Sequence, residues 1–306
     1  MRILVLGAGG IGGYFGGRLA EAGTDVTFLV RPARAARLAE TGLVVHSPHG
    51  DIVRPVRTVT EASAGYDLVL LTCKAYDLDA AMAAIAPAMA GGASVLPMLN
   101  GMRHLDRLDA AFGAGAVLGG LCHIAATLDA SGEVRHLNKL HALTLGPRQP
   151  AQAARVADFA AACRDARFDL RVAEDPIQDM WEKFVLLATM AAMTCLMRAN
   201  VGQIMQAEDG ETLVLTALAE SDAVAAAAGH ASRPARLATA RTTLTERGSS
   251  FAASMLRDVE RGGPTEAAHV VGDMLARAHA AGQAAPLLRT AWCHLQAYEA
   301  RRLAGG

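Results

Sequence analysis

The chain has 306 residues, enough for two domains with sizeable cores, which excludes a mini-protein and a disulfide scaffold. Its 29 Lys and Arg residues balance 30 Asp and Glu residues, so the formal net charge is −1 and no basic excess is available for binding nucleic acid or a membrane surface. Because 52% of the residues are apolar and only 19% are charged, we expect an ordered globular protein.

The cysteines, the N-terminal residues and the length of the apolar runs indicate where in the cell the protein is found. The five cysteines, at 73, 122, 163, 195 and 293, are scattered without a CxxC pair and are interpreted as reduced core thiols. The glycine-studded N-terminal run has no cleavage signal. The longest apolar run, 184–197, has 14 residues, fewer than the roughly 18 needed to span a bilayer. We therefore expect a cytoplasmic protein.

The first part of the chain alternates strands with helices. Short apolar runs predict strands and longer periodic segments predict helices, in this order: strand 2–6, helix 10–22, strand 25–30, strand 67–72, helix 78–89 and strand 93–98. Strands alternating with helices of about ten to fifteen residues are typical of βαβ units. The pattern predicts a Rossmann-type, doubly wound sheet.

The remainder changes character near residue 175. Residues 43–55 predict a hairpin around Pro48, and 117–145 predict two or three short strands that extend the first domain. After a strand-like segment at 168–172, the pattern is almost entirely helical from 177 to 302. The predicted class is α/β, with a Rossmann-type domain at 1–174 and an all-helical domain at 175–306.

A glycine-rich turn follows the first predicted strand directly. It is a GxGxxG pattern made of Gly7, Ala8, Gly9, Gly10, Ile11 and Gly12. Such glycines allow a tight turn, close backbone approach to a pyrophosphate and tight packing of helix on strand, while the helix N-terminus faces the anion. The position in a βαβ unit favours dinucleotide binding over a merely structural turn.

The residue that ends the second predicted strand indicates which dinucleotide is bound. An NAD-selective site places Asp or Glu there to bind the ribose 2′-hydroxyl, whereas arginine accommodates a 2′-phosphate. The residue here is Arg31, with Arg34 and Arg37 following one turn apart, so the sequence favours NADP. The alternative is that these arginines are the solvated start of a helix.

Polar side chains follow two other predicted strands at their carboxyl ends, where doubly wound sheets bind ligands. Lys74 follows the strand at 67–72, and Asn100 follows the strand at 93–98. We expect both to face the cofactor crevice. Alone, each could equally be a surface lysine or a turn asparagine.

The helical domain offers two more candidates. Lys183 lies close to the most apolar run of the chain, where a lysine can lose solvation and act as a proton donor, or simply extend its ammonium group to solvent. Glu266 follows a Gly-Gly-Pro-Thr segment near a predicted helix N-terminus, where the helix dipole alone would favour a carboxylate. The ten histidines lack metal-binding spacing, so metal catalysis is not expected.

Together these features resemble the ketopantoate reductase (2-dehydropantoate 2-reductase) family. The motifs that carry the resemblance are the GxGxxG turn, the arginine after the second strand, CKAYD at 73–77, LNGM at 99–102, HIAAT at 123–127, WEKF at 181–184, SMLRD at 254–258 and TE at 265–266. They occur in order over nearly the whole chain. The resemblance implies a Rossmann domain followed by a helical domain, with NADPH reducing 2-dehydropantoate to pantoate for pantothenate biosynthesis.

The resemblance also assigns roles residue by residue. It implies that Lys183 is the general acid that protonates the nascent alkoxide. It implies that Asn100 contacts nicotinamide and substrate, and that Lys74 lies on the cofactor side. Ser254 matches a contact to the substrate carboxylate.

Two further positions match cofactor contacts of the family. Ala125, within HIAAT, corresponds to a backbone contact to the cofactor. Glu266 corresponds to a glutamate that holds the cofactor near the catalytic cleft.

The sequence departs from the family where the substrate would bind. Family members carry asparagines four and eight residues after the catalytic lysine, but Leu187 and Ala191 stand there in this chain, and Asn200 is offset from a third such position. An apolar pocket would leave a substrate hydroxyl unpaired, at about 1–3 kcal/mol per lost partner. We therefore hypothesise that the substrate is a 2-oxo acid more apolar than 2-dehydropantoate.

Other functions remain open at this point. The chain could be a related dehydrogenase of the same fold, of the 3-hydroxy-acid or opine type, or an NADP-binding protein that has lost catalysis. The Ala-rich stretch at 217–228 permits a homodimer through helices, but such helices also pack inside monomers.

Overall fold

The computed structural model describes residues 1–305 and divides the chain into two compact units. Unit 1 contains residues 1–99 and 104–177, and unit 2 contains residues 100–103 and the chain from residue 178 onward. The sequence-based division after residue 174 assigned 100–103 to the first domain. In the structure this short segment belongs with the helical unit.

Unit 1 begins with a parallel sheet of the Rossmann type. Its strands and helices, in chain order, are β1 (Arg2–Leu6), α1 (Gly10–Glu21), β2 (Asp25–Leu29), α2 (Pro32–Thr41), β3 (Leu43–His46), β4 (Ile52–Arg54), β5 (Arg57–Val59), β6 (Leu68–Leu71), α3 (Leu78–Ala90), β7 (Ser94–Pro97), α4 (Arg103–Phe112), β8 (Gly119–Leu128), β9 (Val134–Gly146), α5 (Ala153–Ala162) and β10 (Asp169–Val172). The first sheet has the order β5-β2-β1-β6-β7, and all of its pairs are parallel. The predicted doubly wound sheet is confirmed.

The remaining strands form a second, mixed sheet in the order β10-β9-β3-β4, with β8 paired to β9. The predicted hairpin at 43–55 is present as the antiparallel pair β3–β4, and the strands predicted in 117–145 are the antiparallel pair β8–β9. Three elements, β5, α4 and α5, were not predicted. β5 has only three residues, and α4 is a polar helix with a narrow apolar stripe.

Helix α1 packs closely against strands of both sheets of unit 1. A Cβ atom on Gly16 would lie 2.8 Å from the Phe28 ring of the first sheet, and one on Gly17 would lie 3.0 Å from Leu43 of the second. Both distances are shorter than ordinary packing contacts, so a side chain at either position would force Phe28 or Leu43 to shift. Phe15, the residue before Gly16, is fully buried in the core of unit 1.

The cysteine prediction is correct in part. All five are free thiols; Cys122, Cys163 and Cys195 are buried, and burial raises the pKa of the latter two to about 12. Cys293 is exposed, so its assignment to the core is wrong. Cys293 lies on a helix, and the apolar periodicity of the sequence did not show whether its face of that helix is buried or exposed.

Unit 2 is helical, as predicted. Its helices are α6 (Pro176–Met197), α7 (Val201–Ile204), α8 (Gly210–Ala227), α9 (Pro234–Leu244), α10 (Ser254–Glu260), α11 (Val271–Ala280) and α12 (Pro286–Leu303). By length and composition α6 could cross a membrane, but 72% of its most apolar window is buried inside the protein. This burial is typical of the core helix of a soluble protein.

Two buried glutamates anchor helix N-termini in unit 2. Glu220 of α8 accepts hydrogen bonds from the backbone N–H groups of Leu287 and Leu288 at the start of α12, at 3.1 and 3.0 Å. Glu182 of α6 accepts from the backbone and guanidinium of Arg233, which precedes α9, at 2.9 and 2.7 Å. These contacts satisfy amide groups that a helix leaves unpaired at its first turn. Glu182 of the WEKF motif is therefore structural.

Three histidines of unit 1 stack against one another beside Tyr14. The rings of His49 and His141 are 3.6 Å apart and nearly parallel, and His136 stacks at 5.7 Å from His49. The Tyr14 hydroxyl lies 2.8 Å from Nδ1 of His141. The pKa of His136 and that of His141 are both lowered, first by burial, and the positive charge of Arg18 lowers them further. The stack therefore favours neutral rings.

We expect acid to destabilise unit 1 through this stack. Because the pKa of His136 and of His141 lies below 6.5 in the folded protein, the unfolded chain binds more protons, and stability falls as the pH drops through about 6.5. Melting temperatures measured at pH 7.5 and 5.5 should show a smaller acid loss in His141→Gln than in the wild type. Equal acid losses in the two proteins would contradict this account.

The control is His46, whose pKa is raised by hydrogen bonds to Glu133 and then Asp51. A raised pKa adds stability at low pH that is lost as the pH rises through it, so His46→Gln should make the acid loss steeper.

Candidate functional site

The glycine-rich turn of unit 1 has the geometry of a phosphate cradle. Gly7 leaves β1 with φ of +90°, and its N–H donates to the Leu29 carbonyl at 2.9 Å. A Cβ on Gly12 would lie 2.2 Å from the Gly7 carbonyl and 2.4 Å from Oγ1 of Thr72, which itself donates to the Leu6 carbonyl at 2.6 Å. Only glycine fits at position 12. Thr72 braces the turn, a role that sequence reasoning missed although the residue ends a predicted strand.

The N-terminus of α1 is open for an anion. Gly9 is its N-cap and provides no side-chain cap, and a Cβ on Gly9 would meet nothing within 4 Å. A Cβ on Gly10, in contrast, would lie 2.6 Å from the Ala126 carbonyl. Gly9 thus borders open space while Gly10 packs against β8, and a pyrophosphate at the positive end of the helix fits this arrangement.

A pocket of about 570 Å³ continues from this cradle within unit 1. Its lining includes residues of the turn, the ends of β2 and β6, and one face of α3: Leu6, Gly7, Ala8, Gly9, Leu29, Val30, Arg31, Pro32, Arg34, Thr60, Thr72, Cys73, Asp77, Ala80, Ala81, Ala84 and Leu128. Its size and largely apolar lining suit an organic ligand. Of the predicted cofactor residues, Gly7, Ala8, Gly9 and Arg31 line this pocket.

Arg31 and Arg34, two of the three arginines after β2, have different surroundings. The Arg31 side chain is 84% exposed and lies 3.7 Å from the Asp77 carboxylate. Arg34 instead donates to the carbonyls of Ala8 and Gly132, at 2.8 and 2.7 Å, and its pKa is lowered by burial. Arg34 therefore supports the glycine-rich turn, and Arg31 is the arginine exposed at the pocket.

Lys183, predicted to be catalytic, and Asn100, predicted to contact cofactor and substrate, meet inside unit 2. Lys183 lies on α6 among the buried side chains of that helix, and its Nζ donates to Oδ1 of Asn100 at 3.1 Å. Both side chains are half-buried. The bond directs the amide oxygen of Asn100 to the ammonium group, so the amide nitrogen of Asn100 points to a different partner.

Glu266 and His269 lie on the turn that precedes α11 and are 8% and 7% exposed. The His269 ring hydrogen-bonds the backbone of Asn100, and burial lowers its pKa although the Glu266 carboxylate opposes this. His269 was missed by sequence reasoning. Its position one helical turn after Glu266 was the available signal.

Three other predicted residues have local surroundings of their own. Lys74 is exposed in unit 1 at the start of a short 3-10 helix. The Ala125 N–H already donates to Asn138 at 3.1 Å, where the β8–β9 register shifts. Ser254 is exposed and opens α10. Asn200, the offset candidate, caps α7 by accepting from the Gln203 N–H at 2.8 Å, so its side chain has a structural partner.

The positions that depart from the family pattern are apolar in the structure as well. Leu187 is half-buried and Ala191 is 3% exposed, both on α6 beyond Lys183. Thr194, the next polar residue on this face, donates to the Met190 carbonyl at 2.7 Å and is 1% exposed. It therefore does not replace the missing amides. No group of three His, Cys, Asp or Glu side chains suited to a metal ion occurs within residues 1–305.

The cradle, its pocket and the helical second unit define a two-domain, dinucleotide-binding class of protein. The model of the family Ketopantoate reductase PanE/ApbA matches residues 3–150, and that of its C-terminal domain matches residues 175–299. The chain therefore belongs to the ketopantoate reductase family of oxidoreductases, which confirms the resemblance and the predicted fold class.

Known proteins are similar over the whole length. The chain is 36% identical over 303 residues to the uncharacterized oxidoreductase YkpB of Bacillus subtilis (strain 168), covering 99% of this chain and 100% of that protein. It is 32% identical to a 2-dehydropantoate 2-reductase of Halobacterium salinarum, covering 95% and 96%. A solved PanE/ApbA family ketopantoate reductase from Ralstonia eutropha JMP134 has a TM-score of 0.88 at 26% identity, covering 99% and 100%.

A pair of glycine substitutions separates the folding role of the cradle from a binding role. Gly12→Ala should lower stability by about 1–3 kcal/mol, because its methyl overlaps the Gly7 carbonyl. Gly9→Ala should leave the melting temperature unchanged but weaken NADPH binding, because its methyl enters the open space at the helix N-terminus. Thermal denaturation and titration of NADPH fluorescence measure the two effects. Wild-type NADPH affinity in Gly9→Ala would contradict the binding role.

Proposed function

We propose that the protein reduces a 2-oxo acid to a 2-hydroxy acid with NADPH, with 2-dehydropantoate and its product pantoate as the leading pair, in pantothenate biosynthesis. The observation that carries the proposal is the 3.1 Å hydrogen bond between Lys183 and Asn100 in a member of the ketopantoate reductase family. Family membership supports the chemistry, and the pair supplies a proton donor with a fixed partner.

The cofactor binds in the cradle of unit 1, and when bound it supplies a hydride. Residues 7–12 hold the pyrophosphate at the N-terminus of α1. Arg31 binds the 2′-phosphate, since its guanidinium is exposed at the pocket whereas Arg34 is engaged by two carbonyls. Lys74, Asn100, Ala125 and Glu266 are the further cofactor contacts that the family pattern suggests. Ala125 contributes its carbonyl, because its N–H is already bound.

The proton comes from Lys183. Its ammonium group polarises the keto oxygen of the acid and donates a proton to that oxygen as the negative charge develops. Asn100 holds the Nζ atom in place through Oδ1, and its amide N–H groups remain available to the substrate. Ser254, at the first position of α10, binds the carboxylate of the acid, and Glu266 is the second proposed catalytic residue.

A second candidate substrate is favoured by a specific observation. Leu187 and Ala191 present hydrocarbon where family members carry amides, and Thr194 hydrogen-bonds its own helix. A plain branched 2-oxo acid leaves no hydroxyl unpaired against such a surface, so it is the alternative to 2-dehydropantoate. A cytoplasmic location, for which the free cysteines speak, and a homodimer, which the Ala-rich stretch at 217–228 permits, are part of the proposal.

The function is tested by NADPH and NADH oxidation at 340 nm with 2-dehydropantoate, 2-oxoisovalerate, 2-oxoisocaproate and pyruvate. We expect turnover with NADPH preferred, and a fall in kcat of about 10²–10⁴-fold in Lys183→Ala, the range for loss of a general acid. Lys139→Ala is the matched control, because Lys139 is an exposed lysine of unit 1. NADPH binding without turnover of any acid would instead favour a binding protein.

Substrate choice is tested on α6. Leu187→Asn should raise kcat/KM for 2-dehydropantoate relative to 2-oxoisovalerate by roughly 3- to 10-fold, because one added amide can pair with the hydroxyl that distinguishes the two acids. Leu186→Asn, a half-buried leucine one residue earlier on another face of the helix, is the control. An unchanged ratio in Leu187→Asn would show that this position does not contact the substrate.

A further inference from the structure

Asn100 lies on a turn whose next residue, Gly101, is in close contact with His269 and Phe184 of unit 2. A Cβ on Gly101 would lie 2.9 Å from the His269 carbonyl and 3.3 Å from Cδ2 of the His269 ring. On the other side it would lie 3.6 Å from Cε2 of Phe184, the residue after Lys183. Gly101 also has φ of +82°, a conformation that glycine adopts without strain. These contacts explain why residues 100–103 belong with the helical unit.

His269 adds a directed bond to this packing. Its ring hydrogen-bonds the backbone of Asn100 in the sense that favours the protonated ring, so the ring is the donor and the Asn100 carbonyl the acceptor. His269 is 7% exposed, and the backbone of its turn is fixed by bonds from its own N–H and that of Val270 to the Glu266 carbonyl, both at 3.0 Å. The His269 ring is therefore attached to a hydrogen-bonded turn and is itself buried from solvent.

We propose that His269 is a positioning residue, which holds the Asn100–Gly101 turn in the orientation in which Asn100 accepts the hydrogen bond from Lys183. The inference rests on the proposed roles of Asn100 and Lys183. His269 acts by fixing the main chain of Asn100, so that the amide oxygen stays 3.1 Å from Nζ.

The charged groups around His269 keep its ring a donor. The carboxylates of Glu266 and Asp273 favour the protonated ring, while Arg103 and burial oppose protonation. A neutral imidazole carries one N–H, and a protonated one carries two, so a proton is available for the Asn100 carbonyl in either state.

The test compares apolar with amide replacements. His269→Leu removes the donor, whereas His269→Asn and His269→Gln place an amide N–H near the positions of Nδ1 and Nε2. We expect the leucine variant to lower kcat about tenfold or more with KM for NADPH within threefold, because misplaced catalytic groups mainly cost rate. The better of the two amide variants should restore kcat to within about threefold.

Two controls address general damage. His294→Leu alters a half-buried histidine of the same unit whose Nε2 has no hydrogen-bond partner, and it should leave kcat unchanged. His269→Phe is the second apolar variant if the leucine variant does not fold. Equal kcat in the apolar, amide and wild-type proteins would overturn the proposal, as would equal losses in the apolar and both amide variants.

A measurement independent of turnover separates this inference from the proposed function. Amide hydrogen exchange in residues 100–103 should become about tenfold faster in His269→Leu and return toward the wild-type rate in the better amide variant. If the wild type reduced no 2-oxo acid, the proposed function would fail, and the exchange rates alone would decide whether His269 holds the turn. Unchanged exchange in the leucine variant would overturn the inference even in an active enzyme.

Discussion

The structure of unit 1 depends on how closely α1 approaches the strands around it. Gly16 faces the Phe28 ring of the parallel sheet, Gly17 faces Leu43 of the mixed sheet, and Gly12 closes against the Gly7 carbonyl. A single methyl at any of these positions would push the helix away. The same approach brings the N-terminus of α1 to the end of β1, where its unpaired N–H groups form the cradle. Packing and anion binding are thus two results of one glycine-lined helix.

Unit 2 solves a different problem, because a lysine must stay charged and directed beside an apolar core. The hydrogen bond from Lys183 to Asn100 provides a polar partner, and the turn that carries Asn100 is clamped by His269 and Phe184. Buried carboxylates, as in Glu182 and Glu220, are used instead to anchor helix N-termini. Each of these three charged side chains therefore has its own polar partner, as burial requires.

The sequence predicted the strands and helices well where each had a strong apolar period, as in β1, α1 and α6. It missed β5, α4 and α5, since a three-residue strand, a polar helix and a short Ala-rich helix give little periodic signal. For the site, the motifs pointed to Lys183 and Asn100, and the end of the second strand pointed to Arg31, but the sequence did not show how the surroundings of Arg31 and Arg34 differ. Only the bonds of Arg34 to Ala8 and Gly132 distinguish them.

The sequence by itself determined the fold class, the glycine-rich cradle and the family, because these depend on local patterns and on motifs in a fixed order. It also determined that Leu187 and Ala191 stand where amides are usual. The tertiary structure decided which polar groups have partners: that Lys183 meets Asn100 across 83 positions of the chain, that Asn200 only caps a helix, and that His269 reaches the Asn100 turn. The physical reason is that a side chain's partner depends on contacts between distant segments, which form only when the cores pack.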